Sequence, residues 1–256
     1  MLLCIDIGNT NIKLGLFQGE EMRCCWRIAT DRERLSDEYA VLLINLLASE
    51  DLEIGQIRGC AISSVVPALT QVFEELSLHY LKREALVVGP ATVPQIKINT
   101  DYPAEVGSDL VVNALAARAL YGSPLIVIGF GTATTFVAIS AQGDLEGVAI
   151  APGIITGADS LFRATSTLPR VALIRPATAI GKNTIRSLQS GLVFGYAGMV
   201  EGLVKRIQEE LGGNARVVAT GGVAELIAPE TGVIDAIEPD LTLIGLRMIF
   251  THYRPE

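Results

Sequence analysis

Apolar and polar positions set out most of the elements before any composition is counted. Residues 2–7, 12–18 and 23–29 run apolar or alternate with period two between the polar turns GNTN and FQGEE, the pattern of three strands in a meander. At SDEYAVLLINLLASE (36–50) the spacing becomes helical, with Ser36 placed to cap the helix. GCAISSVVP (59–67) reads as a buried strand leading into a helix near Pro67, and EALVVGP (84–90) as another buried strand. Residues 91–106 are irregular. GSDLVVNALAARALYG (107–122) is helical, with Gly122 beyond its end.

The plan then starts again. Strands are expected near 124–129, 133–140 and 144–151, followed by a helix over GIITGADSLFRAT and a loop through Pro169 and Pro176. A long helix or helix pair fills 184–213. ARVVATGGVAELIA (215–228) reads strand, Gly-Gly turn, helix, and DLTLIGLRMIF (240–250) is a terminal helix. CIDIGNTNIKLGLF and VIGFGTATTFVAIS share one hairpin pattern. Aligning Gly8 with Gly131 sets Asp6 opposite Gly129, so only the first copy carries a carboxylate. The expectation is a duplicated α/β fold: lobe 1–122 with a phosphate-binding hairpin, and lobe 123–256 with the second hairpin and the Gly-Gly turn, around a ligand cleft.

Composition narrows the chemistry. The chain has 256 residues, is 50% hydrophobic and carries a net charge of −8. An acidic chain is a poor partner for nucleic acid or an anionic membrane. No run of about 18 uncharged apolar residues offers a membrane span. Asp6 interrupts the apolar start, so no secretory signal is expected. Four cysteines without a C-x-x-C pair and two distant histidines disfavour a zinc site or a His-activated nucleophile. Reduced thiols and a cytoplasmic location follow as expectations.

In DIGNTNIK, Gly8 permits a tight turn, while Asn9, Thr10 and Asn11 offer short polar side chains and backbone N–H groups to phosphate oxygens. Asp6 can hold a hydrated Mg²⁺, and Lys13 adds positive charge. An ordinary capped hairpin is the plainer alternative. AIGKNT (179–184) resembles the tail of a P-loop but lacks its upstream glycine and has Asn183 after the lysine.

DIGNT, SSVVP (63–67), YPAEVGSD (102–109), FGTATTF (130–136), IAPGI (150–154), LPRV (168–171), GKNT (181–184) and TGG (220–222) occur in this order. Together they resemble type III pantothenate kinase, nearly end to end. The resemblance implies the actin, Hsp70 and acetate kinase type of fold (ribonuclease H-like), a homodimer with a shared active site, and phosphorylation of pantothenate by ATP in the first step of coenzyme A synthesis. It implies Mg²⁺ and a monovalent cation, K⁺ or NH₄⁺. It makes residues 6–13 (Asp6, Ile7, Gly8, Asn9, Thr10, Asn11, Ile12, Lys13) the ATP phosphate hairpin, Thr132 a second nucleotide contact and Asp109 the catalytic base. Tyr102, Gly107, Ser108, Asp109, Leu110 and Thr184 match pantothenate-binding positions, with Thr184 serving the partner's pocket.

Three residues depart from the family pattern. Leu110 replaces an arginine after Asp109, and Gly129 and Val137 replace two acids of the second hairpin. Gly129 falls where the family's monovalent-cation ligand stands, so weak cation binding and reduced activity are expected. The alternatives are an impaired homologue acting as a ligand sensor or regulator, and a kinase for another small hydroxyl compound.

Overall fold

The computed structural model describes residues 1–253. In chain order the elements are β1 (Leu2–Ile7), β2 (Asn11–Gln18), β3 (Glu21–Ala29), α1 (Ser36–Ala48), β4 (Gly59–Ser64), α2 (Pro67–Leu76), β5 (Leu86–Val88), α3 (Ser108–Tyr121), β6 (Leu125–Phe130), β7 (Ala133–Ile139), β8 (Leu145–Pro152), α4 (Ile154–Ala164), α5 (Thr184–Glu210), β9 (Arg216–Gly221), α6 (Ala224–Ile227), β10 (Ala236–Ile237) and α7 (Leu241–Tyr253).

The chain divides into two compact units. The first holds Met1–Ile96, Asp101–Ala116 and the segment from Leu241; the second holds Lys97–Thr100 and Ala117–Asp240. This differs from a division at 122/123, because α7 packs on β1, β2 and β4. Glycine makes that packing close. A Cβ at Gly15 would lie 2.9 Å from Leu243, and one at Gly59 2.3 Å from the Phe250 ring. The helix therefore needs the first sheet to bury its apolar side, although it ends the sequence of the second half.

In the first unit the sheet order is β3-β2-β1-β4-β5. β1 pairs antiparallel with β2 and parallel with β4. Leu3, Ile5 and Ile7 join Tyr39 and Leu43 of α1 and Leu69 and Phe73 of α2 in one core, all buried. Side chains alternate along a strand, so Cys4 and Asp6 belong to the opposite face.

The second unit repeats the order as β8-β7-β6-β9-β10. Ile126, Ile128 and Phe130 of β6 and Phe136 of β7 pack with Val200 and Val204 of α5 and Ile227 of α6. The duplicated meander read from the sequence is thus present in both sheets. Other details differ. Ser36 is the first helical residue rather than the cap; Glu38 accepts the Leu35 N–H at 2.8 Å and closes that helix start. The stretch at 184–213 is one continuous helix, with Asn183 accepting the Arg186 N–H at 2.9 Å. The strand β10 was not expected, being only two residues long. Among the described residues, no helix is long and apolar enough to cross a membrane.

Candidate active site

The first hairpin ends in a turn closed by its own backbone: the Gly8 N–H donates to Asn11 O at 3.0 Å. A Cβ at Gly8 would stand 3.0 Å from that same oxygen, so the turn has little room for a side chain there. Asn9, Thr10 and Asn11 are exposed. Ile7 and Ile12 are fully buried and serve as the paired strand ends that frame the turn, so the sequence expectation of Ile7 and Ile12 as ligand contacts does not extend to their side chains. A second segment clamps the turn from outside. Thr30 donates its N–H to Thr10 O at 3.0 Å and its hydroxyl to Gly8 O at 2.6 Å.

Asp6 lies at the end of β1, directly across from Lys13 on β2 and beside Ser63 on β4. Residues directly opposite in a sheet share a face, so the lysine stands next to the carboxylate. Ser63 leads to the second acid. The Ser108 hydroxyl, at the start of α3, lies 3.0 Å from the Ser63 hydroxyl, accepts the Ser64 N–H at 3.1 Å and donates to Ser64 O at 3.0 Å. These bonds fasten the first turn of α3 to the end of β4, one strand from Asp6, and the next residue is Asp109. Ser108 is only 8% exposed and its hydroxyl is engaged by β4, so it holds the start of the helix. Gly107 is needed for a matching reason: a Cβ there would come within 2.6 Å of Asp109 Oδ1.

The electrostatics follow from this placement. Burial, then the like charge of Asp109, pushes the Asp6 carboxyl up from 3.8 to about 7, against the opposing pull of Lys13. Burial also raises Asp109, while its own N–H and that of Leu110 hold it back. Two acids whose charges disfavour one another would be relieved by a bound cation. Among the described residues no group of three or more His, Cys, Asp or Glu side chains could cage a metal. One or two carboxylates completed by phosphate oxygens and water is the donor set that suits Mg²⁺.

The other expected positions fall as follows. Tyr102 is 70% exposed, just before Pro103–Glu105 and a few residues ahead of Asp109. Leu110 is 9% exposed and its side chain is among the buried hydrophobics. In the second unit, the turn between β6 and β7 mirrors the first: the Gly131 N–H donates to Ala133 O at 3.0 Å. Thr132 O there accepts from the Gly153 N–H at 3.1 Å and from the Thr156 hydroxyl at 2.7 Å, tying α4 to the turn. Gly129 faces Thr135 across the hairpin, and a Cβ at 129 would lie 2.7 Å from Thr135 Oγ1. Gly221 adopts φ +100°, with a Cβ position 2.3 Å from Phe130 O. Thr184 is exposed in the first turn of α5. Within the first unit the structure thus brings together Asp6, Lys13, Ser108 and Asp109. Sequence reasoning gave no role to Thr30, which no motif marks, and quoted Ser63 and Ser64 in SSVVP without their part in holding Ser108, since these bonds act across tens of residues.

The family model described as type III pantothenate kinase matches residues 2–206. The chain belongs to the type III pantothenate kinases. It is 54% identical over 250 residues to the type III pantothenate kinase of Roseiflexus sp. (strain RS-1), covering 98% of each chain. It is 50% identical over 250 residues to that of Moorella thermoacetica, again covering 98% of each. The activator of 2-hydroxyisocaproyl-CoA dehydratase from Clostridium difficile, solved with bound ADPNP, shares the fold at TM-score 0.61 and 14% identity, over 98% of this chain and 94% of that one. The fold is the duplicated α/β type of actin and Hsp70. As a pantothenate kinase the protein transfers phosphate from ATP to pantothenate in coenzyme A synthesis. The comparisons do not bear out the reduced activity expected from Leu110 and Gly129.

Proposed function

We propose that Asp109 is the general base of pantothenate phosphorylation and that residues 6–13 hold the nucleotide phosphates. What supports this is the anchoring of Asp109 beside Asp6 through Ser108 and the β4 serines. In the reaction the terminal hydroxyl oxygen of pantothenate bonds to the γ-phosphorus of ATP. The bond from that phosphorus to ADP breaks, and the hydroxyl proton passes to Asp109. A carboxylate raised by burial is a better proton acceptor than a free one, once it is ionised. Asn9, Thr10 and Asn11 supply donors to the phosphates, and Lys13 supplies charge. Asp6 would hold Mg²⁺, which would neutralise phosphate charge. Thr132 adds a nucleotide contact; Tyr102 and Gly107 shape the pantothenate side.

A homodimer is the assembly we assign, with Thr184 serving the partner's pocket. Its support is the exposed apolar surface of the second unit: Ile155, Leu161 and Phe162 on α4 and Ile185 on α5. The protein works in the cytoplasm without a nucleic-acid or membrane partner. Dependence on K⁺ or NH₄⁺ is weak, because Gly129 offers no carboxylate and the Thr135 hydroxyl occupies the adjacent space. The test is formation of 4′-phosphopantothenate by purified protein with Mg²⁺-ATP, with and without K⁺ or NH₄⁺. Product in both conditions is expected. Strict dependence on the cation would refute the reading of Gly129, and absence of product throughout would refute the kinase assignment and favour a ligand-sensing homologue.

A further inference from the structure

The segment after β3 does more than leave the sheet. Thr30 clamps both sides of the phosphate turn, through Thr10 O and Gly8 O. Asp31 is fixed in turn by the buried Tyr39, whose hydroxyl accepts the Asp31 N–H at 3.2 Å and donates to Asp31 O at 2.8 Å. Immediately after these anchors, Arg32 reaches back and donates from Nη2 to Asn9 Oδ1 at 3.0 Å. The sequence motif ended at Lys13 and gave Arg32 no part.

The bond has a chemical consequence because an asparagine amide has two unlike ends. Its oxygen accepts and its NH₂ donates, and phosphate oxygens need donors. An asparagine free to flip presents either end. Arg32 has no acceptor and can bind only the oxygen, which leaves the NH₂ end of Asn9 for an anion. We infer that Arg32 is a positioning residue for the nucleotide site: it fixes the Asn9 amide with its donor end available to the ATP phosphates. This rests on reading residues 6–13 as the phosphate site. Both side chains are exposed, so the bond adds little to folding stability in itself. Its effect belongs to ligand binding, where a flipped amide would set an oxygen against phosphate oxygens.

The test is steady-state kinetics on the full chain with Mg²⁺-ATP and pantothenate, for Arg32→Ala, Asn9→Ala, the double variant and Arg32→Gln, which keeps a donor for Asn9. Thermal unfolding is followed in parallel. Arg32→Ala is expected to raise the KM for ATP roughly tenfold, the scale of one lost charge-assisted contact. The KM for pantothenate and the unfolding temperature stay near wild type, and Arg32→Gln recovers part of the loss. The double variant is expected to be no worse than Asn9→Ala, since Arg32 acts only through Asn9. An unchanged KM for ATP in Arg32→Ala, or losses that add in the double variant, would overturn the inference while leaving the phosphate site intact. An Asn9→Ala protein with wild-type KM for ATP would overturn the reading of the turn itself.

Discussion

The substitution Asp6→Asn tests the electrostatics of the site apart from turnover. In the folded protein the Asp6 carboxyl is raised from 3.8 to about 7, by burial first and by Asp109 second. A carboxyl whose folded value lies above its unfolded value binds its proton more tightly when folded, so ionising it opposes folding. The cost is absent below pH 3.8, grows as pH rises from there towards 7, and is constant above that. At 1.36 kcal/mol per unit the plateau is about 4 kcal/mol, an upper bound because the residue is half-buried and solvent screens part of the charge. Asparagine has no charge to suppress. The variant should therefore match wild type near pH 4 and become the more stable protein by pH 8, by a few kcal/mol at most. Urea unfolding at pH 5, 6, 7 and 8, without nucleotide or Mg²⁺, reads the difference directly. Most of the divergence should fall between pH 5 and 7. Parallel curves across that range would refute the claim that Asp6 is desolvated beside a second acid. The same group makes Mg²⁺-nucleotide affinity fall as pH drops below about 7, since the metal binds the ionised carboxylate.

Two further substitutions probe the supports. Ser108→Ala removes bonds to Ser63 and Ser64 and loosens the turn that carries Asp109. It should cost about 1–3 kcal/mol in urea unfolding and lower kcat with little change in the KM for ATP. Gly221→Ala forces a Cβ onto a backbone with φ +100° and within 2.3 Å of Phe130 O. It should destabilise the protein by more than about 2 kcal/mol in thermal unfolding, where an ordinary surface change costs under about 0.5 kcal/mol.

The sequence made the repeated plan legible because the signals were local. Period-two alternation marked the meanders, and glycine-centred turns marked both hairpins. The destination of α7 was not legible. Its apolar residues fit either sheet, and only the pits at Gly15 and Gly59 select the first. The continuity of α5 was open in the sequence, where one long helix and a helix pair fit the same periodicity; the structure has a single helix over Thr184–Glu210. In the site, Asp6 was legible in DIGNTNIK itself, whereas Asp109 stood out only through motif resemblance. Their proximity depends on Ser63, Ser64 and Ser108, joined across 44 and 45 residues. Leu110 shows what a motif position leaves out: where the family pattern has an arginine, an aliphatic side chain at the start of α3 is buried in the core.

The most direct measurement is the rate of 4′-phosphopantothenate formation by Asp109→Asn beside wild type, at saturating Mg²⁺-ATP and pantothenate. Asparagine keeps the size of the side chain and loses its charge and its capacity to take the proton. The account predicts a kcat lower by roughly 10²- to 10⁴-fold with the KM for ATP nearly unchanged. A kcat within a few-fold of wild type would contradict it, and the proton acceptor would have to be sought elsewhere than Asp109.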